Sequence, residues 1–192
     1  MKKLVLAVVV LLVAGAGVAL WWRGPVLPPA PMTPPPIKVE MVPREALLYF
    51  GDEQGRYLVS EMRQIAGCDE DSDCVRNLVE ALIAGPHDRL LPILPETAVL
   101  NSVELQKDLV VLDFNRALVH AHPGGTFSEL LTVYGLMNSL TVNFPYLKQL
   151  QILIDGQKVS TLKGHVSLLR PVQSDFSYSH PLQDYSTEDN AQ

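Results

Sequence analysis

Apolar residues recur along this chain with two different periods, and the change between them marks out the elements. Short apolar runs at Leu47 to Phe50 and Arg56 to Ser60 predict two strands, and Val99 to Leu105 with Leu109 to Phe114 predict a second pair joined as a hairpin. Between the pairs, Val75, Leu78, Val79, Leu82 and Ile83 fall on one face of a helix, with Asp73 as its N-cap and Gly85-Pro86 as its stop. A second helix starts at Thr126, where Thr126 and Glu129 have the spacing of a capping box, and Phe127, Leu130, Leu131, Tyr134 and Met137 define its buried face. Asn138 falls on that face too, so its amide needs partners, most simply the backbone of a neighbouring loop. Pro145 ends the helix. Leu150, Ile152 and Ile154 then alternate as a strand, Asp155-Gly156 suits a type I′ turn, and Gln157 to Leu162 returns toward a further turn at Gly164-His165. There, an imidazole that is buried or capping would fix the turn. Two amphipathic helices on alternating strands give an α+β fold, a two-layer sandwich on one mostly antiparallel sheet.

The ends of the chain are patterned differently. Lys2 and Lys3 precede an uncharged, proline-free apolar run from Leu4 to Trp22, whose helix would be about 28 Å long against a bilayer core of about 30 Å. Residues 1–24 thus read as a signal-anchor helix with the lysines inside the cell. A cleaved signal peptide is the alternative, since Ala14-Gly15-Ala16 and Gly17-Val18-Ala19 are small-residue sites. No cysteine closely follows the apolar run, which argues against a lipid-modified N-terminus. Residues 25–36 contain seven prolines and form a semi-rigid spacer. A domain then occupies 37–175, and 176–192 read as a polar, disordered tail. The expected location is the cytoplasmic membrane, single-pass, with the C-terminal domain outside, or secretion if the leader is removed.

Charge narrows the partners. Removing Lys2, Lys3 and Arg23 from the 15 basic residues leaves 12 against 21 acidic ones, a net charge of minus 9 for the exported part. Nucleic acid and anionic lipid headgroups would be repelled. Cys68 and Cys74 enclose a short acidic loop and, outside the cytoplasm, are expected to form a disulfide. Counting from Asp69, the carboxylates Asp69, Asp71, Asp73 and Glu80 have EF-hand spacing, but Cys74 stands where the calcium loop needs glycine. The acidic residues are more simply those favoured by a helix N-terminus.

Catalytic patterns are missing from the sequence. It contains no G-x-S-x-G, and His120 and His122 could face one metal only with a third ligand that no motif nominates, so they read as a solvated loop. Asp113 and Asp155 sit at a strand end and in a turn, where aspartate serves the backbone. No cofactor is implied.

The motifs LTVYGLMNSLT (131–141), the Phe144-Pro145 stop, QILIDGQKVSTLKGHV (151–166) and Pro171 together resemble the GerMN domain family, named after a sporulation and spore-germination protein. The similarity runs back more weakly through LLYFGDEQGRYLV (47–59), ALIAGP (81–86) and VVLDF (110–114). Two departures stand out: Pro95-Glu96-Thr97 replaces the family's Pro-x-Gly-Thr turn, and the Cys68 to Cys74 loop is inserted. The resemblance implies a ring-building-motif-like fold. It also implies a non-catalytic envelope module that engages another envelope protein or peptidoglycan, with self-association possible by analogy. Thr126, Glu129, Tyr134, Asn138, Pro145, Asp155, Gly156, Gly164 and His165 would then be structural. The alternatives are an enzyme or accessory subunit acting on peptidoglycan, and a metal-dependent binding module.

Overall fold

A computed structural model describes residues 42–179. The apolar run at 4–22, the proline-rich stretch at 25–36 and the last thirteen positions lie outside the described residues.

The chain begins with the antiparallel pair β1 (Arg44–Gly51) and β2 (Leu58–Ile65). Helix α1 (Asp71–Ile83) follows, then the hairpin of β3 (Leu100–Gln106) and β4 (Leu109–Phe114), the short α2 (Ala117–His120) and the long α3 (Thr126–Asn143). Strand β5 (Gln149–Ile154), the two-residue β6 (Gln157–Lys158) and a 3-10 turn at Phe176–Tyr178 complete it. The fold is α+β and its strand pairs are antiparallel except β4 with β5, which run parallel. The strands divide into two sheets, β1-β2 and β3-β4-β5-β6, where the sequence suggested one. The reason is visible at the free edge of β1, which α3 occupies in place of a strand. Asn143 accepts from Leu47 N–H at 3.1 Å and donates to Leu47 C=O at 2.8 Å, and Ser139 Oγ accepts from Tyr49 N–H at 2.9 Å. One residue pair further on, Gly51 and Leu91 exchange both backbone bonds. Helical residues four apart and strand residues two apart both repeat at roughly 6 Å, so the two ladders match.

The apolar faces meet in one core that includes Leu48, Phe50, Leu78, Leu112, Leu136 and Ile152. Helix α3 is buried on more than one face: Leu131, Val133, Leu136 and Leu140 are all covered. Gly135 permits this, because a Cβ there would lie 2.7 Å from Ile93 Cδ1 and 3.2 Å from Leu58 Cδ2. The single apolar face expected for this helix is therefore corrected, and Phe127 on its first turn is exposed. Asp155 and Gly156 have φ of 48° and 74°, as a type I′ turn requires. The returning strand stops at Lys158, short of the expected Leu162. Ala98 N–H closes a turn onto Pro95 C=O at 2.9 Å with no positive φ at Glu96 or Thr97, so this entry to β3 needs no glycine.

Candidate functional site

Apart from Ser139 and Gln151, the buried polar side chains among the described residues gather at three places. The first is the start of α3. Glu129 is fully buried, and its Oε1 and Oε2 accept from Leu162 N–H at 2.8 Å and His165 N–H at 2.9 Å. Burial alone would raise this carboxyl, but the amides of His165, Lys163, Leu162 and Val166 outweigh it and hold it below the usual range. The capping box is thereby corrected: Gly125 is the N-cap, no side chain caps the helix, and the buried Glu129 carboxylate reaches the 162–165 turn instead of the helix's own first amides. Thr126 Oγ1 lies 3.2 Å from His165 Nδ1 on the surface. The His165 ring is exposed, so its backbone amide, rather than a buried imidazole, ties this turn down.

Beside Glu129, His122 is buried instead of solvated. Its Nδ1 accepts from Gly124 N–H at 3.0 Å, which leaves Nε2–H to donate to Thr132 Oγ1 at 3.0 Å, and Thr132 in turn donates to Ile93 C=O. Burial lowers the imidazole pKa, with Glu129 opposing and Lys163 adding to the shift, so the ring is held neutral. His120, at the end of α2, is exposed.

The second place is Asn138. Its Nδ2 donates to Asp175 C=O at 2.9 Å and its Oδ1 accepts from Asp175 N–H at 3.0 Å. Tyr134 stacks on Tyr178 with centroids 4.7 Å apart, and Phe176 meets Tyr49 edge-on. The described residues thus run past the expected tail boundary at 176, through the 3-10 turn at Phe176–Tyr178.

The third place was not anticipated. Glu61 and Arg63 on β2 point inward and pair with each other. Arg63 also donates to Ala81 C=O at 3.1 Å and Gly85 C=O at 2.8 Å, at the end of α1, and its guanidinium lies 5.4 Å from the Phe50 ring centre. Glu61 accepts from His87 N–H at 3.0 Å. Burial pushes Glu61 up, but Arg63 and the His87 and Asp88 amides leave it lowered overall. The signal was present in LVSEMRQI, where opposite charges two residues apart share a strand face with Ile65.

The acidic residues near α1 do not converge. Asp71 and Asp73 lie in its first turn and Asp73 is not its N-cap, which is Glu70. Asp73 and Glu80 are two turns apart on a rigid helix, roughly 10 Å along its axis, so no calcium loop can close around them. Asp71 accepts from Tyr146 O–H at 2.6 Å, and burial together with that carboxylate pushes the Tyr146 phenol up to about 12. Among the described residues, no group of three His, Cys, Asp or Glu side chains is placed to hold a metal ion. Cys68 and Cys74 are disulfide-bonded, with their Cα atoms 5.2 Å apart. Asp113 accepts from Gly156 N–H at 2.7 Å and Asp155 pairs with Arg116 at 2.8 Å, so both brace the β5-β6 turn. Pro145 follows the last residues of α3, and Gly164, with φ of 101°, makes the turn that Glu129 binds.

An open groove of about 470 Å³ runs between the end of α1 and the entry to β3, lined by Glu80, Ile83, Ala84, Glu96, Val99 and Leu100. Apolar side chains make up much of its lining, and its Glu80 and Glu96 carboxylates have no partner among the described residues, so it suits contact more than chemistry.

Among the described residues no helix is long and apolar enough to cross a membrane. A Clostridium perfringens protein with a lipoprotein designation is similar in structure, with a TM-score of 0.50 and 26% identity over 68% of this chain and 87% of that one. The tandem GerMN domains of the sporulation protein GerM from Bacillus subtilis match with a TM-score of 0.53 and 18% identity, covering 70% of this chain and 46% of theirs. The first of those domains alone gives a TM-score of 0.50 and 20% identity, covering 70% of this chain and 96% of it. No curated protein matches. The family described as Germane, sporulation and spore germination, matches residues 47–160, more than half of the chain. The chain belongs to the Germane family of sporulation and spore germination.

Proposed function

We propose that this protein is a non-catalytic module of the cell envelope, anchored by its N-terminal apolar segment and displaying one GerMN-like domain outside the cytoplasmic membrane, where it engages another envelope protein or peptidoglycan. The observation that carries this reading is the fate of the buried ionisable groups. Glu61, Arg63, His122 and Glu129 each bond to the domain's own backbone or to one another, so they stabilise loops instead of facing a cleft. The lipoprotein designation of the Clostridium relative supports an envelope location. Here an apolar segment would replace the acyl chain.

The test is crosslinking of the full chain in its native envelope from a photoreactive residue at Val99, in the groove. A discrete adduct with an envelope protein or a peptidoglycan fragment is expected. Release of soluble fragments from purified cell wall by the chain itself would overturn the non-catalytic reading.

A further inference from the structure

We propose that the outer edge of β2 pairs with the same edge of a second copy of this chain, antiparallel and centred on Met62. The bonds from Asn143, Ser139 and Leu91 show that Leu47, Tyr49 and Gly51 direct their backbone groups away from β2. Alternation in an antiparallel pair then sends the N–H and C=O of Ser60, Met62 and Gln64 away from β1. On β1 three of the outward positions, Leu47, Tyr49 and Gly51, are engaged in this way. On β2 only the first outward residue, Leu58, is engaged, by a bridge to Ser179, and among the described residues none bonds to the outward backbone from Ser60 to Gln64.

The composition of this edge favours a copy of itself. Its outward residues, Ser60, Met62 and Gln64, carry no charge, and Met62 is 61% exposed. Glu61 and Arg63 point inward and pair with each other, so neither charge stands on the outer face of this edge. Rotation about Met62 sets Ser60 opposite Gln64 of the second copy and Met62 opposite Met62, so no like charges meet. A two-stranded sheet, marginal alone, becomes four-stranded.

The register makes the test specific. With Met62→Cys in the full chain, held in detergent micelles, the two introduced thiols would face each other at about 5.5 Å between Cα atoms, within the disulfide range of roughly 4.4–6.8 Å. With Gln64→Cys they would be roughly 13 Å apart. Mild oxidation should give a covalent dimer from the first variant and none from the second, and Ser60→Cys with Gln64→Cys in one chain should restore it. Met62→Pro removes an N–H that β1 does not use. It should convert a dimer to a monomer in sedimentation without loss of the unfolding transition. A monomeric Met62→Cys chain, equal linkage from Gln64→Cys, or linkage to a different protein would each overturn the proposal.

Discussion

The Glu129 carboxylate holds the 162–165 turn by accepting from its amides, so the turn is as sensitive to acid as that carboxylate. Because its pKa is lowered from 4.5 in the fold, it contributes stability above that value and loses it as pH falls through the lower folded pKa. Glu61 acts in the same direction and window. His122, lowered from 6.5, is neutral in the fold and takes up a proton more readily when unfolded, so its share is lost earlier, as pH drops below 6.5. Urea unfolding from pH 8 to 3 should therefore show stability falling in two stages. A flat profile between pH 7 and 5 would refute the His122 part. Glu129→Gln places an amide N–H2 against a backbone donor and should cost about 2–3 kcal/mol at pH 7, while flattening the lower stage. The letters Thr126 and Glu129 were legible as a pair, but the carboxylate's true partners lie 33 and 36 residues away. Local spacing carries no information about such a distance.

At the level of elements, α3 serves as both core helix and edge cap. Asn143→Ala should leave the Leu47 amide and carbonyl without partners and cost about 1–3 kcal/mol, with faster amide exchange at Leu47 than at Leu48. Exchange that is unchanged at Leu47 would show that the edge is closed by something else. Asn138→Ala should release the segment at 175–179, read as new proteolytic cleavage there while the core remains resistant. The existence and order of the principal strands and helices were readable from periodicity, caps and the Asp155-Gly156 turn. The split into two sheets was not, because polar residues on a helix give no sign that they will pair with a strand edge. Gln151 shows a similar limit. Alternation makes it look exposed, yet it is buried and donates to Leu168 C=O at 3.0 Å, because the returning chain covers the outer face of β5.

For the molecule as a whole, the Cys68–Cys74 bond fixes the entry to α1, whose far end is held by Arg63. A loop this short should contribute about 2 kcal/mol. Reduction should lower the midpoint of unfolding by a corresponding amount without abolishing the cooperative transition; complete unfolding on reduction would mean that the core is weaker than its packing indicates. The clamp of Asn143 and Ser139 on β1 has a practical consequence. Strand register in a hairpin normally depends on its tip, but here α3 sets the position of β1 from the side. The tip around Glu53 and Gln54, exposed and distant from the clamp, is accordingly the place to insert an epitope or fluorescent label that reports on the native protein without shifting its strands.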